Sequence, residues 1–322
     1  MSTRIGERIS VCLLTYNHAA VIESTLESIL DQTITGYEVI VSDDCSTDGT
    51  WERILEIAKK DSRIKPIRTP QNLSMPGNAN FAVAHSDRPY IALLHHDDIY
   101  RRDLLEKWAD ILERYPDVGF VFNHYDSLVP EHHERSRFNA ERFEGNRFLE
   151  KILLARWDCP IHGTAMIRRS CWDRVGGMRE QFNLVADIDL WMRLSAVSQV
   201  GYVPERLIYV RALRPDYYPD IYTGKNWHWR RLVLVYNIYA VNRLSHFPLS
   251  TPMGRLHWWT FRLKLSCETA KWLVYAIVKR RPEIIASSNE SVTDYDLLPL
   301  RAFRRMLQLM LRATYRRYCQ GE

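Results

Sequence analysis

The chain of 322 residues predicts an α/β protein: a mostly parallel sheet with flanking helices, followed by a basic helical C-terminal extension. Three observations carry that expectation. From Arg8 onward, short apolar runs alternate with segments of helical periodicity, the pattern of parallel strands joined by crossover helices. Three of those runs end in polar clusters, Thr15-Tyr16-Asn17, Asp43 to Asp48 and His95 to Asp98, and ligands of such sheets bind at the carboxyl ends of strands. The charge is also divided: residues 1–224 carry 27 Lys+Arg against 33 Asp+Glu, whereas residues 225–322 carry 17 against 6. The net charge of +5 therefore belongs to the tail.

Taken in order, ISVCLLTY reads as a buried strand, and AAVIESTLESILDQ as a helix with Val21, Ile22, Leu26, Ile29 and Leu30 at helical spacing. YEVIVSDD is a second strand, and TWERILEIAKK a second helix facing inward through Trp51, Ile54, Leu55 and Ala58. IKPIRTP is a short strand, NANFAVAHS a helix and YIALL a strand, followed by a helix at 101–114 and the strand VGFVFNHYD. Between Pro130 and Arg147 the pattern loosens into charged residues, which predicts a mobile surface loop holding His132 and His133 in solvent. Order returns with FLEKILLA, HGTAMIRRS, the Gly176-Gly177 turn and the amphipathic helix DIDLWMRLSAV. From Asn226 the chain reads as basic, aromatic helices at 226–244, 256–280 and 299–318, with a polar linker at 287–296. No internal repeat is visible.

With 46% hydrophobic and 26% charged residues the composition is that of a globular protein with a substantial core. The six cysteines (12, 45, 159, 171, 267 and 319) form no C-x-x-C pair, which points to a reducing, cytoplasmic compartment. The apolar run at 9–14 lacks a cleavage site, and Trp272 to Val278 is too short to span a bilayer, so the expectation is a soluble or peripheral protein.

Adjacent carboxylates at a strand end are costly unless a positive partner sits beside them. Asp97 and Asp98 would be explained by a divalent cation carrying phosphate oxygens, or more simply by a solvated turn with Asp98 or Asp103 capping the next helix. Asp44 can accept a hydrogen bond from a base N–H or a ribose hydroxyl, while Ser46 and Asp48 are better read as caps of the helix near Thr50. Asn17 could be only the N-cap of the first helix.

TYN at 15–17, the DDxSxD stretch at 43–48, the loop from Asn72 to Asn80, HHDDIY at 95–100, HGTAMIRRSCWDRVGGM and VADIDLWMRL together resemble family 2 glycosyltransferases, which have the Rossmann-like GT-A fold. The resemblance fades near residue 214 and places a nucleotide-sugar half at 8–126 and an acceptor half at 148–214 of a domain spanning 1–224, with 225–322 as the basic helical region. It implies that Thr15 and Asp44 contact the base or ribose, that Tyr16 and Asn17 shape that pocket, and that Asn80 and His96 join the donor side. Asp97 would hold Mn2+ or Mg2+ at the donor diphosphate, with Asp98 as a second ligand or a support, and Asp187 would be the general base. His162 and Trp191 fall on the acceptor side, although Trp191 also reads as core. The implied reaction is metal-assisted, inverting transfer from a nucleoside-diphosphate sugar to a saccharide or lipid-linked saccharide, in bacterial surface polysaccharide synthesis.

Three departures stand out: His95 at the first position of the family's Asp-x-Asp motif, Ala186 at the first of its Glu-Asp pair, and Leu213 where relatives commonly carry histidine. They leave open a catalytically degenerate domain acting as a binding or membrane-scaffold module. Nucleotidyl transfer would require a Gly-rich, basic loop after the first strand, which TYNHAAV lacks. Asp189 and Arg193 read as a helix-surface pair. In the last helix Leu300, Phe303, Leu307, Met310, Leu311 and Thr314 share one face and Arg301, Arg304, Arg305, Arg312 and Arg316 another, the layout either of a helix lying on anionic lipid at the inner face of the cytoplasmic membrane or of one packed on the catalytic domain with its arginines in water. No nucleic-acid module is present.

Overall fold

The computed structural model describes residues 5–127, 138–155, 159–211 and 227–278, with positions 302 and 306, in two compact units, Met1–Tyr217 and Tyr218–Glu322. In the first unit, strands β1 (Ile9–Thr15), β2 (Glu38–Asp43), β3 (Ile64–Arg68) and β4 (Tyr90–His95) alternate with helices α1 (Ile22–Leu30), α2 (Thr50–Ala58) and α3 (Ser74–Ala84). β1 pairs in parallel with β2 on one side and β4 on the other, and β3 extends the sheet beyond β2. Every residue of β1 and β2 is buried. A parallel strand covered on both faces reads as a continuous apolar run, which is how these strands stand in the sequence.

The chain continues through β5 (Ile99–Tyr100), α4 (Leu104–Arg114), β6 (Val118–Ser127), β7 (Arg142–Phe143), α5 (Gly145–Phe148), β8 (Ala165–Arg168), α6 (Arg169–Val175), α7 (Ala186–Ser195) and β9 (Gln199–Val210). The sheet order is β3-β2-β1-β4-β8-β6-β9-β5, with β7 on β9. β8 runs antiparallel to both β4 and β6, while β6 and β9 are parallel. The core gathers Val11, Leu13, Val39, Val41, Ala92 and Leu94 of the sheet against Ile22, Leu26 and Ile29 of α1 and Leu105, Trp108 and Leu112 of α4. Each such aliphatic side chain contributes about 1.5–3 kcal/mol on burial.

One expectation is corrected. Residues 138–147 are not a solvated loop: β7 pairs with β9, and Phe138 packs against Phe143 at 5.3 Å and Tyr202 at 5.2 Å. Single aromatics set between charged residues anchor this segment without producing a readable period. Residues 128–137, including His132 and His133, lie outside the described residues.

The second unit contains α8 (Trp227–His246) and α9 (Pro252–Val278). Gly254 opens α9 where a Cβ would stand 1.9 Å from the Pro248 carbonyl oxygen, so only glycine fits this turn. No described helix is long and apolar enough to cross a membrane. The linker at 287–296, Leu213, Cys319 and the final helix, apart from Ala302 and Met306, fall outside the described residues. Among the described residues, Cys12, Cys45, Cys159, Cys171 and Cys267 form no disulfide.

Candidate active site

Topology brings the polar clusters to one edge. In the pairing register Thr15 stands opposite Asp43 and Leu14 opposite His95, so the turns after β1, β2 and β4 emerge side by side. Because β8 runs antiparallel with Ala165 opposite Leu93, residues 162–164 pass the end of β4 as they enter the sheet. Asp187, in the first turn of α7, reaches the same place. A Cβ at Gly163 would lie 2.9 Å from His95 Nε2 and 3.4 Å from Asp187 Oδ2.

The turns after β1 and β2 are stapled together. Asn17 and Cys45 adopt left-handed backbone conformations, with φ of 54° and 61°. The Asn17 N–H donates to Ser46 Oγ at 2.9 Å, the Thr47 N–H to Asn17 Oδ1 at 2.8 Å, and the Ala19 N–H to Asp48 Oδ2 at 3.0 Å. Asp48 Oδ1 accepts the Thr50 N–H at 3.1 Å just ahead of α2, whose N-cap is Gly49 with no side-chain cap bond, whereas Asn17 braces the neighbouring loop and α1 begins only at Ile22. Asp44 Oδ1 accepts the Leu73 N–H at 2.7 Å and the Thr69 hydroxyl at 2.9 Å. Burial pushes the Asp44 carboxyl upward against those bonds. Burial does the same to Asp43, although Arg68 lies 3.1 Å away. Thr15 Oγ1 and Asp43 Oδ1 are buried without a hydrogen-bond partner, and Tyr16 beside them is half-buried.

At the end of β4 the four polar residues form two groups. His96 Nδ1 lies 2.7 Å from the Leu14 carbonyl oxygen, His18 Nδ1 lies 2.5 Å from that of Tyr16, and the two Nε2 atoms face each other at 2.7 Å. With Asp97 they make a set whose ligand atoms all lie within 4.8 Å of one another. Burial, then the neighbouring His96, lowers the His18 pKa to about 3. In the second group, His95, Asp98 and His162 converge within the same 4.8 Å limit. His162 Nε2 is 3.4 Å from Asp98 Oδ2, an oxygen that is buried and makes no hydrogen bond. The His162 ring also packs on Tyr125 at 4.7 Å. Burial lowers the His95 imidazole to about 4, and its backbone is clamped by the Tyr100 hydroxyl, which donates to the His95 carbonyl at 2.6 Å. Asp98, expected beside Asp97 as a second ligand or a support, thus belongs to a different group from Asp97, because successive side chains past a strand end point in different directions.

Three other expectations change. The Asn80 side-chain amide donates to the Met178 carbonyl and accepts its N–H, both at 2.9 Å, so it braces the turn after Gly177 rather than the donor side. Trp191 is fully buried and stacks on Phe120 at 5.5 Å, a core position that leaves no face for an acceptor. Asp189 pairs with Arg193 at 2.7 Å and Arg179 at 3.4 Å, but it is completely buried and not part of a helix surface. His18 was absent from the sequence reading. Its only signal was a histidine one residue past the first strand-end turn, matched by His96 one residue past the end of β4.

The sequence model described as glycosyl transferase family 2 matches residues 10–176. EpsE of Bacillus subtilis (strain 168), which carries a glycosyltransferase name, is 30% identical over 215 residues, 63% of this chain and 72% of its own length. The fold is similar to S. aureus TarS in complex with UDP-GlcNAc, with TM-score 0.64 and 16% identity over 98% of this chain and 92% of that one. It is also similar to the mannosyltransferase PcManGT from Pyrobaculum calidifontis in complex with GDP-Man and Mn2+, with TM-score 0.53 and 18% identity over 95% and 86%. At these identities the likeness establishes the GT-A fold.

Proposed function

The chain belongs to glycosyl transferase family 2, and on that premise we propose that it moves a sugar, with inversion, from a nucleoside-diphosphate donor to an acceptor hydroxyl in bacterial surface polysaccharide synthesis. The observation that carries this reading is the approach of Asp187 to His95 beside Gly163, at the strand end that also carries the His18, His96 and Asp97 group. The uridine and guanosine diphosphate sugars of TarS and PcManGT support a nucleotide-sugar donor. Thr15 Oγ1 and Asp43 Oδ1, buried and unsatisfied, are the kind of groups a base or ribose would complete.

In this mechanism Thr15, Tyr16 and Asn17 line the nucleoside pocket, and Asp44 holds its wall through Thr69 and Leu73. The donor set of Asp97 with His18 and His96 fits a divalent cation, which when bound would neutralise charge on the departing diphosphate. Asp187 takes the proton of the acceptor hydroxyl as its oxygen bonds to the anomeric carbon and the bond to the β-phosphate oxygen breaks. His162, held at Asp98, borders the acceptor side. The acceptor is a saccharide or lipid-linked saccharide. Exposed Met253, Leu256, Trp259, Leu263, Val274 and Val278 on α9, flanked by Arg255, Lys264 and Lys271, support seating the basic unit on anionic lipid at the inner face of the membrane.

The test is nucleoside-diphosphate release by the full chain across a panel of nucleotide sugars with Mn2+ and saccharide acceptors. Wild type turns over at least one donor, and Asp187→Asn lowers kcat by about 10²–10⁴ while donor affinity, measured by calorimetry, is retained. Undiminished turnover in Asp187→Asn would remove Asp187 as the base. Release with no donor would favour the binding-module alternative.

A further inference from the structure

We infer that His18 and His96 form the nitrogen half of a chelate, completed by Asp97, that selects a transition-metal dication of the Co2+ or Zn2+ type over Mg2+. The inference rests on the transferase reading only for the ion's use; the site itself is argued from the geometry of the two imidazoles.

A carbonyl oxygen only accepts. Because His96 Nδ1 and His18 Nδ1 each lie at hydrogen-bond distance from a carbonyl, of Leu14 and Tyr16, both Nδ1 atoms carry the ring proton. A neutral imidazole protonated at Nδ1 presents a lone pair at Nε2. The two Nε2 atoms are 2.7 Å apart, so two neutral rings would aim lone pairs at each other with no hydrogen between them. Something positive must sit there: either an added proton or a cation.

Three features favour the cation. A carboxylate, Asp97, completes the set within 4.8 Å, whereas a shared proton needs no third ligand. Imidazoles that bind metals characteristically donate their other N–H to a carbonyl or carboxylate, which fixes ring orientation, and both rings here do so to the same strand end. Two nitrogens bound at about 2.1 Å on one ion lie about 3 to 3.4 Å apart, so the rings, now 2.7 Å apart at Nε2, would part by less than about 1 Å to admit it. The nitrogen content then sets the preference, since imidazole suits later transition metals and carboxylate-water sets suit Mg2+. His95, at a position where relatives often carry Asp, does not join this set; it faces Asp98 and His162.

The probe is the metal alone, added to the full chain without nucleotide sugar. Co2+ titration should give one saturable site with d–d absorption bands, and competition should rank Zn2+ above Co2+ above Mn2+, with Mg2+ weakest by about 100-fold or more. His18→Ala and His96→Ala should each weaken Co2+ by about 10-fold to 100-fold, with His162→Ala leaving the bands in place. His96→Gln, which keeps a donor to the Leu14 carbonyl but loses the Nε2 lone pair, guards against a folding artefact and should weaken Co2+ equally. Imidazole 15N spectra should show both Nε2 resonances moving on Zn2+ addition. Equal affinity for Mg2+ and Co2+, bands unchanged in both histidine variants, or a proton-sharing imidazole pair untouched by Zn2+ would each overturn the inference. Because no donor is present, these results stand apart from the transferase reading: metal selectivity in a chain that turns over no donor keeps the site, and equal affinity for Mg2+ and Co2+ in a chain that does turn over removes the inference and keeps the enzyme.

Discussion

Gly163 stands against both His95 and Asp187. Its φ is +71°, and a Cβ there would stand 2.5 Å from His95 Cε1 and 2.9 Å from His95 Nε2, closer than side chains pack. Gly163→Ala should therefore combine backbone strain with a wedge against His95, costing about 1–3 kcal/mol of stability. It should lower turnover further than the folded fraction explains, because the wedge also narrows the space before Asp187. Denaturant melts and kcat measured under conditions where the variant is fully folded check this; an unchanged kcat there would mean the approach of Gly163 to Asp187 has no catalytic consequence. At this scale the sequence was informative where a motif sits on a strand end, as for Thr15, Asp43 and His95, whose strands end side by side. It was blind where a role depends on direction. His18 acquires its partner from His96, which arrives on a different strand, and Asp97 and Asp98 part company although adjacent. Trp191, readable as core or as acceptor side in the sequence, is placed in the core by its burial against Phe120.

Among the elements, the parallel strands were legible because burial on both faces makes them unbroken apolar runs. β7 and the reversal of β8 were not, since a two-residue pairing has no period and strand direction is written in no local pattern. One strand end carries an electrostatic consequence. Glu38, at the start of β2, is buried and accepts from Ser10 of β1 and Lys65 of β3, with Arg88 Nε, just before β4, 3.3 Å away. Burial alone would raise its pKa, but the bonds from Lys65 and Ser10 and the charge of Arg88 outweigh it and hold the carboxyl below its usual range. The unfolded chain therefore binds this proton more readily than the native one. Its stabilisation is fully present above the unfolded carboxylate value of about 4.3 and is lost as pH falls through the lower native value. Glu38→Gln should destabilise the protein by about 1.5–3 kcal/mol near neutral pH, and the gap to wild type should shrink as acid protonates Glu38. Urea melts at neutral and acid pH measure it, and a gap that stays constant with pH would show that shape, not charge, is what Glu38 contributes.

For the whole molecule, the sheet lies in the unit that holds most of the acidic stretch, and the described part of the basic stretch contains α8 and α9. Of the tail's helices, the described α9 carries the exposed apolar side chains. Leu256, Trp259 and Leu263 are each more than half exposed, and they recur at intervals of three and four residues, so they share one helix face. Arg262 lies over the Trp259 ring at 5.6 Å, a cation–π contact beside that stripe. A solvent-facing helix gains nothing from such a stripe, whereas an interfacial one inserts it and sets its cations among anionic headgroups. Each cation near an anionic surface is worth about 1 kcal/mol. Arg255, Lys264 and Lys271 together should then raise binding to anionic over zwitterionic vesicles by about two orders of magnitude, an advantage that added salt erodes. In vesicle flotation with the full chain, the double substitution Leu256→Asp and Leu263→Asp should release the protein from anionic vesicles while leaving its nucleotide-sugar turnover on a soluble acceptor intact. Flotation that is indifferent to lipid charge, or that survives both substitutions, would mean that α9 turns this stripe toward protein and not toward lipid.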